Sequence, residues 1–137
     1  MKASELMIGD WVLDGNVYAQ VTSITCDGNI ETTHNEHSNI ELVEPIPLTP
    51  EILEKNGFEK ALDEDGAECY RYYNRAGDGY IKISLYNGGD GDWSIEIVNY
   101  EKFDNNEIVY NNNFIFLKVH QLQHALRLCG ITREIIL

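Results

Sequence analysis

The chain has 137 residues, 43% of them hydrophobic, enough for one domain with a proper core or two very small ones, and too apolar to expect disorder. It carries 23 Asp/Glu against 10 Lys/Arg, a formal net charge of −13, whereas direct binding to nucleic acid needs positive charge against the phosphates. No apolar run approaches the roughly 20 residues that span a bilayer, and MKASELMIGD lacks the continuous apolar stretch of a signal peptide, so the expected setting is cytoplasmic, with no membrane partner.

The acidic excess is uneven. Residues 1–66 hold 3 Lys/Arg and 14 Asp/Glu, a net of −11, and residues 67–137 hold 7 and 9, a net of −2. Cys26, Cys69 and Cys129 are far apart and odd in number, with no C-x-x-C, which reads as three partly buried, reduced thiols rather than a disulfide framework or a zinc site.

In chain order, residues 6–48 read as short strands. Asp10–Leu13 precedes the turn dipeptide Gly15-Asn16. Val17, Ala19 and Val21 then alternate with Tyr18, Gln20 and Thr22, a period of two. Asp27-Gly28 is a hairpin signal leading to a return strand at Ile30–Thr33. A polar loop, His34–Asn39, leads to a further strand at Ile40–Val43. Short strands with tight turns predict a small, strongly curved barrel. Glu44-Pro45-Ile46-Pro47-Leu48 is a stiff extended connector. Next, Thr49 is placed to cap a short helix, with Pro50 at its first position and Gly57 at its end.

Residues 59–67 are polar and acidic, with a turn at Asp65-Gly66. Strands are expected at Glu68–Asn74, at Tyr80–Tyr86 with Ile81, Ile83 and Leu85 on one face, and at Trp93–Tyr100 with Trp93, Ile95 and Ile97 on one face. Ala76-Gly77-Asp78-Gly79, Asn87–Asp92 and Lys102–Glu107 read as turns or loops. Ile108–Tyr110 and Phe114–Leu117 read as strands around a turn at Asn111-Asn112-Asn113. Val119, Leu122, Leu126 and Cys129 form one apolar stripe of a helix, widened by Ala125 and stopped by Gly130. Ile131–Leu137 reads as a final strand whose edge could pair with a second copy of the chain.

The expected architecture is α+β. A small β-barrel module over residues 1–48 precedes residues 49–137, a short helix and an antiparallel sheet with one C-terminal helix on it, the two either separate or sharing a core. The opening IGDWVLDGNVYAQVTSI resembles the start of SH3-like small barrels, where a Gly-Asp-x-Val turn leads into the first long hairpin. Such barrels host many functions, so the likeness implies a fold and no activity. ELMIGDWV, EPIPLTPEILEKNGF and VHQLQHALRLCGI together resemble a family of small uncharacterised proteins from gut Bacteroidetes and their phages, prophages and mobile elements. That resemblance implies a genomic setting and carries over no catalytic residue.

His120 and His124 stand four apart on one helix face, a spacing that lets two imidazoles reach one metal. The segment is His-Gln-Leu-Gln-His rather than H-E-x-x-H, and Arg127 follows on nearly the same side, so they read as a boundary face. His34 and His37 read as a solvated hairpin tip. Asp90 and Asp92 do not complete a calcium loop. No glycine-rich phosphate loop and no nucleophile elbow occurs, and Cys129 on the apolar stripe is expected to be inert. No cofactor and no catalytic residue is expected.

Seven of the eight tyrosines lie between residues 70 and 110. With the helix residues, they supply the candidate binding surface: Tyr72, Tyr86, Tyr100, His120, His124 and Arg127. The expected function is a non-enzymatic accessory protein of a phage or mobile element that binds a host or phage protein. The alternative is an acidic nucleic-acid mimic that inhibits a DNA-binding or defence enzyme.

Overall fold

The computed structural model describes residues 1–36, 38–63, 65–76, 79–87, 92–100, 106–115, 117–128, 130–131 and 133–137. Expectations for His37, for Gly77-Asp78, for residues 88–91 and 102–105, for Phe116 and for Cys129 fall outside the described residues. The fold is α+β, with two antiparallel sheets, and comprises two compact units. One holds residues 1–47 and 118–124, the other residues 48–117 and 125–137.

In the N-terminal unit, β1 (Trp11–Asp14), β2 (Val17–Ile24), β3 (Ile30–Thr32) and β4 (Val43–Pro45) form a sheet of order β3-β2-β1-β4. Asp14 pairs with Val17, so the β1–β2 loop is the two residues Gly15 and Asn16, both at positive φ (58° and 72°). That mirror-image turn matches the right-handed twist of the strands it joins. Leu6, Val12, Val21, Ile30 and Val43 form the core of this unit. Asp14 is buried among them and accepts hydrogen bonds from the hydroxyls of Thr32 and Ser38, tying the polar loop after β3 to the β1–β2 hairpin.

Two expectations change here. The sheet is open rather than a closed barrel: β3 and β4 stand at its opposite edges, and three residues in each leave too little strand to bend round and pair. Ile40–Leu42 is a 3-10 turn, not a strand, because the Asn39 side chain accepts from Glu41 N–H and caps it.

In the C-terminal unit, α1 (Pro50–Lys55) begins with the Thr49 hydroxyl accepting from Ile52 N–H. It ends in a paired reverse closure: Phe58 N–H donates to Leu53 O and Gly57 N–H to Glu54 O, with Gly57 at φ 85°. Then β5 (Glu59–Leu62), β6 (Glu68–Ala76), β7 (Gly79–Asn87), β8 (Asp92–Tyr100) and β9 (Asn106–Ile115) form a five-stranded meander in sequence order. Tyr70 and Tyr72 of β6 lie opposite Leu85 and Ile83 of β7, which lie opposite Ile95 and Ile97 of β8. Directly opposed residues share a face, and Ile83, Leu85, Ile95 and Ile97 are all fully buried on this one. The other face carries Arg71, Ser84, Tyr86 and Glu96.

Three expectations change in this unit. Glu59–Leu62, read as an acidic loop, is edge strand β5, supported by the Lys60–Glu68 ion pair at 3.6 Å. Asn111–Asn113, read as a turn, runs straight through β9 opposite Glu96, Ile95 and Ser94, because a continuous partner strand outweighs the local turn preference of asparagine. The described part of residues 131–137 forms no strand. The buried side-chain amide of Asn56 instead accepts from Ile136 N–H and donates to Ile136 O, both at 2.7 Å, so one residue of α1 takes the place of a ladder partner. The proposed edge-to-edge pairing of that segment therefore has no strand to use.

Helix α2 (Val119–Leu128) has the expected start and stop. Gln121 reaches back to accept from Lys118 N–H, and Gly130 (φ 75°) closes the end as Ile131 N–H donates to Leu126 O. Its first six residues belong to the N-terminal unit and its last four to the C-terminal unit. No helix among the described residues is long and apolar enough to cross a membrane.

Candidate functional site

The first turns of α2 meet the loop that enters β1. Asp10 N–H donates to Met7 O and Val21 N–H donates to Asp10 O, which turns the Asp10 side chain inward. That carboxylate has no exposure to solvent. Its Oδ2 accepts from Met7 N–H at 2.7 Å and lies 2.6 Å from His124 Nε2. Gln123, also buried, accepts from Trp11 N–H at 2.9 Å and donates to Gly9 O at 3.1 Å. Adjacent residues of α2 thus satisfy the backbone of Gly9 and Trp11 and the charge of Asp10, which would otherwise be costly to bury.

His120 lies one turn before His124, its ring edge-on to the His124 ring at 5.6 Å. It is 5% exposed, and its Nδ1 is buried without a hydrogen-bond partner among the described residues. Burial holds its pKa below the usual histidine value, His124 and Lys118 push the same way, and Asp10 and Glu5 oppose them. The His124–Asp10 contact commits one imidazole to a carboxylate on a different element. Among the described residues, no group of three or more His, Cys, Asp or Glu side chains is arranged to hold a metal ion. The cluster orients an imidazole and ties α2 to the loop that enters β1.

The remaining candidates are dispersed. Tyr72 is half-buried on the apolar face of the five-stranded sheet, its ring 5.4 Å from that of Phe58, with the Arg133 guanidinium 5.0 Å from its centroid. That is an internal stack rather than an open surface. Tyr86 is half-buried on the opposite face, beside Cys69 and Ser94. Tyr100 ends β8 opposite Tyr80 and Asn106, and its side chain lies outside what is described. Arg127 is exposed in the last turn of α2. His34 is exposed after β3.

Sequence reasoning passed over two surfaces. On the outer face of the N-terminal sheet, Leu13 and Tyr18 are directly opposed, and Trp11 lies two residues before Leu13 on the same strand. Tyr18 is 53% exposed, while Trp11 and Leu13 are partly exposed. The alternation of β2 already signalled which face Tyr18 occupies. The second is a polar depression of about 340 Å3 on the five-stranded sheet, lined by Asp63, Asp65, Arg71, Lys82, Tyr86 and Glu96. No spacing in the sequence joins its three strands and hairpin turn.

Comparison with models of protein families, with curated proteins and with solved structures finds no match to this chain.

Proposed function

We propose that the protein acts by binding another protein and not by catalysis, as a cytoplasmic accessory factor of a phage or mobile element. The observation that carries this reading is the outer face of the N-terminal sheet. A cross-strand Leu13–Tyr18 pair flanked by Trp11 offers an aromatic and aliphatic patch on a rigid hairpin, and Tyr and Trp are the residue types that dominate binding energy at interfaces. The resemblance to small proteins of Bacteroidetes phages and mobile elements supports the genomic setting. The eight-residue β2, with its register shift between Val21 and Ser23, supports reading this unit as an opened relative of the SH3-like barrels.

An affinity capture from native host lysate tests the binding function, with the Tyr18→Ser variant beside the wild type. The expected result is a partner retained at high salt by the wild type and lost by Tyr18→Ser at equal folding. A partner held equally by both proteins would remove this face from the function.

A second reading, an acidic mimic of nucleic acid, is favoured by the N-terminal unit's surface. Glu5, Asp27, Glu36, Glu41 and Glu44 are exposed there, and Lys2 and Lys118 are the unit's Lys/Arg residues. It predicts a DNA-processing partner that is lost as salt rises.

A further inference from the structure

The polar depression of the five-stranded sheet gathers charged side chains of both signs from three strands and a turn. Register places Glu59, Arg71, Ser84, Glu96 and Asn111 in one row across all five strands. Ser84 is fully buried in that row, and neither its hydroxyl nor Arg71 Nε has a hydrogen-bond partner among the described residues. Buried polar atoms are nearly always paired, because leaving one unpaired forfeits its hydration without replacement. These two unpaired donors are directly opposed on adjacent strands, and Arg71 also lines the depression.

The lining of the depression narrows the chemistry. Tyr86 sits beside the row, and burial, with Cys69, Glu96 and Asp63 adding, raises its phenol pKa, so it stays a donor. Arg71 and Lys82 supply positive charge, and Asp63, Asp65 and Glu96 surround them with negative charge. Asp63 Oδ1 accepts from the N–H groups of Asp65 and Ala67, which holds the acidic turn in place. A multiply charged anion such as phosphate would meet three carboxylates. A ligand that carries one carboxylate and its own cations meets complementary charge throughout. The volume of about 340 Å3 suits a molecule of amino-acid size.

We infer that this depression binds a free basic α-amino acid, with its carboxylate on Arg71 and Tyr86 and its ammonium and side-chain cation on Glu96, Asp63 and Asp65. The site uses none of Trp11, Leu13 and Tyr18, the face on which the proposed partner binding rests, and stands whether or not that reading holds.

Calorimetric titration of the full chain with L-arginine, L-lysine, agmatine and sodium phosphate tests it. Agmatine keeps the arginine cation and lacks the carboxylate. The expected result is saturable binding of L-arginine or L-lysine, weakened at least about tenfold for agmatine and for Arg71→Gln titrated with the same amino acid, as loss of a charge-assisted hydrogen bond implies. Equal binding of agmatine and L-arginine would overturn the site, leaving only attraction of cations to an acidic surface. Saturable phosphate binding in preference to the amino acids, or no saturable signal from either amino acid, would overturn it as well. Should Arg71→Gln fail to fold, the comparison of agmatine with L-arginine on the wild type decides alone.

Discussion

The two sheets of this protein solve the same problem by different means. The C-terminal sheet has strands of up to ten residues, and its interior is a grid of opposed aliphatic pairs, Ile83 with Ile97 and Leu85 with Ile95. The N-terminal sheet has two strands of three residues, and alongside its small aliphatic core it buries Asp10, Asp14, Thr32, Ser38 and Gln123. Short strands leave little apolar area to remove from water, so a small sheet needs other constraints on its loops. Here those constraints are hydrogen bonds to buried carboxylates and amides. The lesson is that one unit is held by area and the other by satisfied polarity, and the two should fail differently.

That contrast can be broken by mutation, because each unit holds one of the two tryptophans, Trp11 and Trp93. Trp11→Phe and Trp93→Phe backgrounds let fluorescence follow each unit during urea unfolding. The largest effect is expected for Ile97→Ala, which empties a fully buried position between β7 and β9: about 3–4 kcal/mol of lost stability, read from Trp93. Next comes Asp14→Ala, which leaves the buried hydroxyls of Thr32 and Ser38 without their acceptor. About 2 kcal/mol should be lost, read from Trp11. If both variants shift both tryptophans equally, the units unfold as one and the contrast describes construction only. Separate shifts would sharpen it.

The smallest effect is on pH dependence. His120 is held below its ordinary value of 6.5, mainly by burial, so the unfolded chain takes up a proton before the folded protein does. Its contribution is fully present above about pH 6.5 and is lost as the pH falls below that, since the unfolded state then binds more protons. His120→Gln should flatten this part of the stability profile in urea titrations across that range. A profile unchanged by the substitution would remove His120 as its source.

Much of the local structure was legible in the residues. Thr49-Pro50 and Gly57 mark the ends of α1, Gly130 marks the end of α2, and alternation in Tyr80–Tyr86 and Trp93–Tyr100 marks two central strands. Where local signals were weak or contradicted by neighbours, the reading failed. Asn111–Asn113 lies in a strand because β8 supplies partners on one side, and β5 forms from polar residues because β6 offers a free edge. Ile131–Leu137 has the composition of a strand, yet the backbone of Ile136 is paired by the side chain of Asn56, 80 residues away. The spacing that sets the two helix histidines side by side was legible, but not the carboxylate that meets one of them, because Asp10 and His124 are 114 residues apart.

By itself, then, the sequence determined the α+β class, both helices with the Thr49 cap and the two glycine stops, the β1–β2 hairpin and the acidic composition. Each depends on contacts within a few residues or on composition. Only the tertiary structure decided that the N-terminal sheet stays open, that Asp10 meets His124, and that Arg71, Ser84 and Glu96 form one row. Those features arise from strand register and from pairings across long stretches of chain, where a shift of one residue would turn every side chain to the other face.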